Sequence, residues 1–393
     1  MDGKTESGEY LVPDYFESFK CKMGDCRNAC CRGWNVSISM KNYFDLLGVE
    51  CSDELRRKID CGMALSERRN EQEYAVLGCS YDGNCRLRAS DGSCALQNEL
   101  GEEMLPDICR LYPRGVRKSN GEYECSMANS CERIPEMFLE REEPIHFKKA
   151  RLSLVHPEIP SPEHPIEAFG LESAVRQYLI GIIKDRTKRI PDRLMTLCNA
   201  VQNIEKAVAE NNKAAVLDLI EGRTEVKYAT SPSVTEGTVK NGLLAVESIM
   251  NEISERSFTI HDIVESILGK YKGVESLCDI YYRHRGKFEL LFRNHETFFE
   301  HLLVNHMFFS TFPYQDRPLS LYDEFCALCA VYTTLRFLLI GSVDEIKSDA
   351  DIVDVVSSAF RFIEHTDFES FAVRLMKKYK CDTPEVLSSL VAL

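Results

Sequence analysis

Apolar residues recur at helical spacing over most of the chain beyond residue 150, whereas strand signals are confined to the part before it. In that first part, residues 10–19 read as a lead-in with Pro13 as a breaker. The polar–apolar alternation of 35–40 predicts a short strand. Helices are predicted over 41–47 and 52–63, the second opening on Ser52 as its cap with Leu55 behind it. Another short strand is expected at 73–77, and a short helix over 105–112 that Pro113 stops. Asp82-Gly83 and Asp91-Gly92 are turn pairs, each just ahead of a cysteine, Cys85 and Cys94. Asn120-Gly121, flanked by residues 116–118 and 122–124, is a strong hairpin signal.

A proline-rich connector from His156-Pro157 to His164-Pro165 marks the expected domain boundary. Beyond it, helical spacing runs through 166–184, 192–211, 213–221, 241–253, 260–270, 274–309, 319–341 and 349–380, with a Ser/Thr-rich loop at 230–236. No internal repeat of convincing period is evident. The expected fold is mainly α: a cysteine-rich mixed module with short strands and a hairpin over 1–155, then an α-helical domain over 156–393.

Composition changes this picture in two ways. The formal charge of −14 argues against nucleic acid as the primary partner. Residues 1–10 lack the basic start and apolar run of a secretory signal, and no apolar stretch reaches the roughly 18 residues of a membrane span. The expectation is a cytoplasmic protein without a membrane span.

The cysteines carry the chemistry. Twelve of seventeen fall between Cys21 and Cys131, and the first histidine is His146, so a local Cys/His zinc site is excluded there. Clustered cysteines without an export signal point to metal or redox chemistry rather than disulfides. The dense group Cys21, Cys26, Cys30 and Cys31 and the later Cys85, Cys94 and Cys109 can close a thiolate cage for soft metal. Their alternative as small buried apolar residues fits seven such positions poorly. Cys-x2-Cys pairs typical of structural zinc are absent from the block, which favours iron–sulfur over zinc and leaves the ligating four open. Cys326 and Cys329 do form such a pair, but within an apolar helical run that suits core packing. The spacing is not that of a radical S-adenosylmethionine site, and no P-loop or dinucleotide fingerprint appears.

The sequence resembles the flagellin lysine-N-methylases. The likeness lies in Pro13-Asp-Tyr15, Phe19-Lys-Cys21, Cys30-Cys31-Arg-Gly33-Trp34, Gly92-Ser-Cys94-Ala-Leu, Gly101-Glu-Glu-Met-Leu105 and Cys109-Arg-Leu-Tyr112-Pro113-Arg114. Asn129-Ser-Cys131-Glu lacks the family's proline, and Cys85-Arg-Leu-Arg88 stands where the family reads Cys-Pro-Phe-Leu. His301-Leu-Leu-Val304-Asn305-His306-Met-Phe308 and Phe312-Pro313-Tyr314 match a second motif region. The cysteine cluster also resembles a wider group of zinc- or iron-chelating domains.

The resemblance implies S-adenosylmethionine-dependent methylation of flagellin lysines, with a [4Fe–4S] cluster on the N-terminal cysteines. From the matched motifs, Trp34, Tyr112, Asn305 and His306 are the catalytic candidates, and Arg110 and Arg114 are placed to balance the charge of the cofactor. Each has a structural alternative: core packing for Trp34, Asn305 and His306, and a turn closing the module for Tyr112-Pro113-Arg114. The competing functional class is a non-catalytic metal-binding scaffold or redox sensor.

Overall fold

A computed structural model describes residues 4–27, 29–33, 35–119, 121–156, 169–224, 236–256, 260–271, 277–315 and 317–393. Trp34, the connector beyond His156 and the loop of 230–235 lie outside the described residues. The chain divides into two compact units, residues 1–134 with 146–160, and residues 135–145 with 161–393.

The cysteine-rich unit holds two sheets. The elements run β1 (Lys4–Pro13), β2 (Val36–Ile38), α1 (Met40–Gly48), α2 (Asp53–Gly62), β3 (Met63–Leu65), β4 (Ala75–Leu77), α3 (Ala95–Leu100), α4 (Asp107–Leu111), β5 (Arg114–Ser119) and β6 (Glu122–Met127). α5 (Arg133–Glu140), most of which belongs to the other unit, precedes β7 (Phe147–His156). The larger sheet has the order β5-β6-β1-β7, and the smaller β2-β4-β3. The start of the expected lead-in, residues 10–13, is instead the end of the ten-residue strand β1, which pairs parallel with β6 and antiparallel with β7. Pro13 is its last residue, and the Asp14 N–H beyond it donates to the His146 carbonyl at 2.8 Å.

The predicted local elements take their expected causes. Ser52 caps α2 by accepting the Leu55 N–H at 3.2 Å. The Asn-Gly hairpin joins β5 to β6, with Gly121 at φ +82°. A small core of Ile38, Leu46, Leu55, Ile59, Ala75, Leu77, Leu87 and Leu96 sits beneath the thiol-bearing loops.

The helical unit comprises α6 (Glu172–Ile183), α7 (Ile190–Ala209), α8 (Lys213–Ile220), α9 (Glu236–Arg256), α10 (His261–Tyr271), α11 (Leu277–Leu291), α12 (His295–Phe309), α13 (Leu321–Gly341), α14 (Asp349–His365), α15 (Phe368–Lys378) and α16 (Pro384–Val391). With sixteen α-helices among the described residues, the fold is mainly α. α13 is long and apolar enough to cross a membrane, yet it is wholly buried, as a core helix is. Its Cys326 and Cys329 are buried packing residues beside Cys198.

Candidate functional site

Two successive turns present thiols in the same way. Residues 79–85 (Cys-Ser-Tyr-Asp-Gly-Asn-Cys) and 88–94 (Arg-Ala-Ser-Asp-Gly-Ser-Cys) share a pattern at a nine-residue offset, two copies being too few to register as a period in the sequence. In the first, the Asp82 carboxylate accepts the Asn84 N–H at 3.1 Å; in the second, Asp91 accepts the Ser93 N–H at 3.0 Å. Gly83 at φ +79° and Gly92 at φ +88° close the two turns. Each turn ends in a bridged pair, Cys79 with Cys85 and Arg88 with Cys94. Arg88 ties the copies together, donating to the Asn84 side-chain oxygen at 2.7 Å and to the Gly92 carbonyl at 3.3 Å.

The dense cysteine group folds onto these turns through its backbone. The Cys85 N–H donates to the Cys31 carbonyl at 2.7 Å, and the Gly33 N–H to that of Gly83 at 2.8 Å. Gly24 lies against the backbone of Asp91, Gly92 and Ser93. Lys22 pairs with the buried Glu132, which draws the Cys21–Cys26 loop toward Cys131.

These contacts gather the thiols around Cys30. The Cys30 and Cys31 sulfurs are 3.8 Å apart. The charge of Cys30 acts on Cys26, Cys31, Cys85, Cys94, Cys109 and Cys131. Cys30 is thus within electrostatic reach of six other thiols, and Cys21 of Cys26 and Cys131. Cys131 joins them and was absent from the expected ligand set; the Ser-Cys-Glu resemblance was the available signal. Among the described residues, no three Cys, His, Asp or Glu side chains stand close enough to grip a single metal ion.

Burial first, and then neighbouring charge, push up the thiols of Cys26, Cys85, Cys94, Cys109 and Cys131. Cys85 rises to about 11, and Cys26 to about 12 with Glu132 adding to the rise. Cys31 is raised by its hydrogen bond with Cys30, then by burial. Several thiolates can coexist here only with positive charge among them. Backbone amides are already aimed at the sulfurs. The Met23 N–H donates to Cys21 Sγ at 3.4 Å, and Leu87, Leu96 and Arg133 N–H groups serve Cys85, Cys94 and Cys131. In each case the donor lies two residues after the cysteine, and such bonds stabilise thiolate.

The remaining candidates divide between the units. In the cysteine-rich unit, the Tyr112 hydroxyl hydrogen bonds with Ser130 at 3.2 Å, next to Cys131. Arg110 is half-buried beside Cys109, and the Arg114 guanidinium stands 5.8 Å from the Phe19 ring centre. Asn305 and His306 are buried on α12 in the helical unit. His306 lies between Glu364, at 3.7 Å, and Glu369, at 3.5 Å. Burial alone would lower its pKa, but the two carboxylates raise it to about 9. Glu369 also meets Arg317 at 3.1 Å, and Arg317 pairs with Glu324 at 2.7 Å. This buried ionic chain was invisible in the sequence, because its members come from separate segments.

Residues 176–390 match the family described as the FliB lysine N-methylase C-terminal domain. The lysine-N-methylase of Salmonella typhimurium is 24% identical over 131 residues, 32% of this chain and 31% of that protein. The flagellar biosynthetic protein FliU of Salmonella muenchen is also 24% identical over 131 residues, which is 75% of its length. The chain thus spans 31% of the length of the first of these relatives. No solved structure matches it.

Proposed function

The chain belongs to the FliB lysine N-methylase family, and on that premise we propose that it methylates lysines of flagellin with S-adenosylmethionine as donor. The observation that carries this reading is the family match across more than half of the chain. The reaction is proposed to occur in the cytoplasm, on the filament subunit before export.

We further propose that the cysteine-rich unit holds a [4Fe–4S] cluster on ligands drawn from Cys21, Cys26, Cys30, Cys31, Cys85, Cys94, Cys109 and Cys131. The donors are all sulfur, which suits iron–sulfur chemistry. The block also lacks the Cys-x2-Cys pairs that structural zinc sites favour, which supports a cluster over one zinc ion. When bound, such a cluster supplies a redox-active iron centre and cross-links the loops that hold it. Arg110 and Arg114 offset its negative charge.

Methyl transfer needs a neutral amine, and free lysine has a pKa of about 10.4. An enzyme of this kind must therefore desolvate the substrate nitrogen to favour the unprotonated form. Tyr112 and Trp34 are the aromatic groups proposed to flank it. His306, protonated between two carboxylates, is unsuited to accept the substrate proton at neutral pH. Asn305, buried next to it on α12, is the candidate that the second motif region leaves for the reaction. Anaerobically purified protein, flagellin and S-adenosylmethionine test the proposal. A methyl mass gain on flagellin lysines is expected; unmodified flagellin from protein replete in iron and sulfide would refute it.

A further inference from the structure

The turn that carries Cys85 holds a second thiol directly across from it. Cys79 and Cys85 are partners in an antiparallel bridge. The Ser80 N–H donates to the Asn84 carbonyl at 2.8 Å, and the Arg86 N–H to the Gly78 carbonyl at 3.3 Å. Hydrogen bonds thus flank the pair. In such a pair the Cα atoms lie about 4.5 Å apart with both side chains on one face. That is within the roughly 4.4–6.8 Å a disulfide spans. Cys79 also contributes to the charge felt by Cys85.

The neighbouring copy of the turn shows that this cysteine is not needed to build it. Arg88 occupies the position of Cys79 there, and the Asp–Gly geometry is the same. The first copy alone therefore pairs a candidate metal ligand with a second thiol across the bridge. We propose that Cys79 and Cys85 form a disulfide in the metal-free protein, withholding Cys85 from the metal centre until the bond is reduced. The second half rests on the assignment of Cys85 as a ligand.

Oxidised glutathione, a small disulfide, is a sufficient oxidant. One protein thiolate attacks it, forming a mixed disulfide and releasing a glutathione thiolate. The other protein thiolate then attacks the mixed disulfide and releases the second glutathione. Two protein thiols lose two protons and two electrons, and glutathione disulfide is reduced to two thiols. Cross-strand bonds of this kind, partly open to solvent, are the reducible and regulatory sort.

Trypsin cleavage after Arg69 and Arg86 releases a peptide, residues 70–86, whose cysteines are Cys79 and Cys85. The full chain, stripped of metal and reduced, is treated with oxidised glutathione, alkylated, digested and weighed by mass spectrometry. The expected peptide escapes alkylation at both positions and is two hydrogens lighter than its reduced form. The oxidised protein should lose iron uptake on anaerobic reconstitution and regain it with dithiothreitol. Cys79→Ser and Cys79→Ala should take up iron equally before and after the oxidant.

Alkylation of both cysteines in the oxidised wild type would overturn the proposal. So would undiminished iron uptake by that sample, or loss of uptake in reduced Cys79 variants, which would make Cys79 a ligand. If the reduced wild type binds no iron, the metal assignment fails and the withholding role falls with it. The peptide mass still decides whether the bond forms.

Discussion

A side-chain carbon placed on Gly92 would lie 2.6 Å from the carbonyl oxygen of Gly24. The Cys94 turn and the Cys21–Cys26 loop are therefore in backbone contact, and the approach tolerates no β-carbon. Since neither side of the contact is a flexible side chain, relief requires one loop to move.

Gly92→Ala should accordingly disturb the thiol assembly. Its φ of +88° adds strain, and the clash adds displacement. A destabilisation of about 1–3 kcal/mol is expected, with reduced iron content after anaerobic reconstitution. Gly101→Ala is the comparison, since φ is +86° but nothing lies within 4 Å. It should cost only the strain and leave iron content intact. Equal iron loss in both would show that the Gly24 contact is irrelevant.

Cys131→Ser and Cys125→Ser should separate a ligand from a core thiol. Cys131 is influenced by Cys30, Cys26 and Cys21. Cys125 is buried in β6, where Arg114 and Arg117 are its charged influences. Iron bound per chain should fall for Cys131→Ser and hold for Cys125→Ser. The opposite ranking would remove Cys131 from the ligand set.

The His306 ion pairs should make stability depend on pH. The folded pKa is raised from 6.5 to about 9, so their contribution is complete below pH 6.5 and fades as the pH climbs through 9. A shift of that size corresponds to about 3 kcal/mol. Urea unfolding at pH 6, 8 and 9.5 would trace the decline, and His306→Gln should flatten it. A curve of the same slope in the variant would assign the dependence to other groups.

Glu300 should be among the most sensitive positions in the helical unit. It is fully buried and accepts from Arg186 Nε at 2.9 Å and from Arg193 Nη1 at 2.8 Å. Glu300→Gln keeps the shape but leaves two guanidinium groups without their counter-charge. A loss of about 3–5 kcal/mol is expected. A melting temperature equal to that of the wild type would contradict it.

What could be read in advance follows the range of the interactions responsible. The Ser52 cap, the Asn-Gly hairpin and the two Asp-Gly turns are decided within four residues, and each formed as its local chemistry requires. β1 carries no local strand signal, because its pairing partners lie more than a hundred residues away, on β6 and β7. β7 is hidden for the same reason. The predicted helix of 274–309 is two, α11 and α12, and that of 349–380 is also two, split at 366–367. That cysteines of the N-terminal block interact was legible in their number, whereas the tie that brings the Cys131 segment against the Cys21–Cys26 loop was not. Lys22 and Glu132, which make that tie, are separated by most of the module.

The register of β1 against β7, Lys4 with His156 through Pro13 with Phe147, has a consequence for biosynthesis. On a ribosome, the first residues of this sheet must wait for translation to pass residue 156 before their hydrogen-bonding edge is satisfied. By then every cysteine from Cys21 to Cys131 has been synthesised. Nascent chains would therefore carry their full complement of N-terminal sulfur before the larger sheet can close.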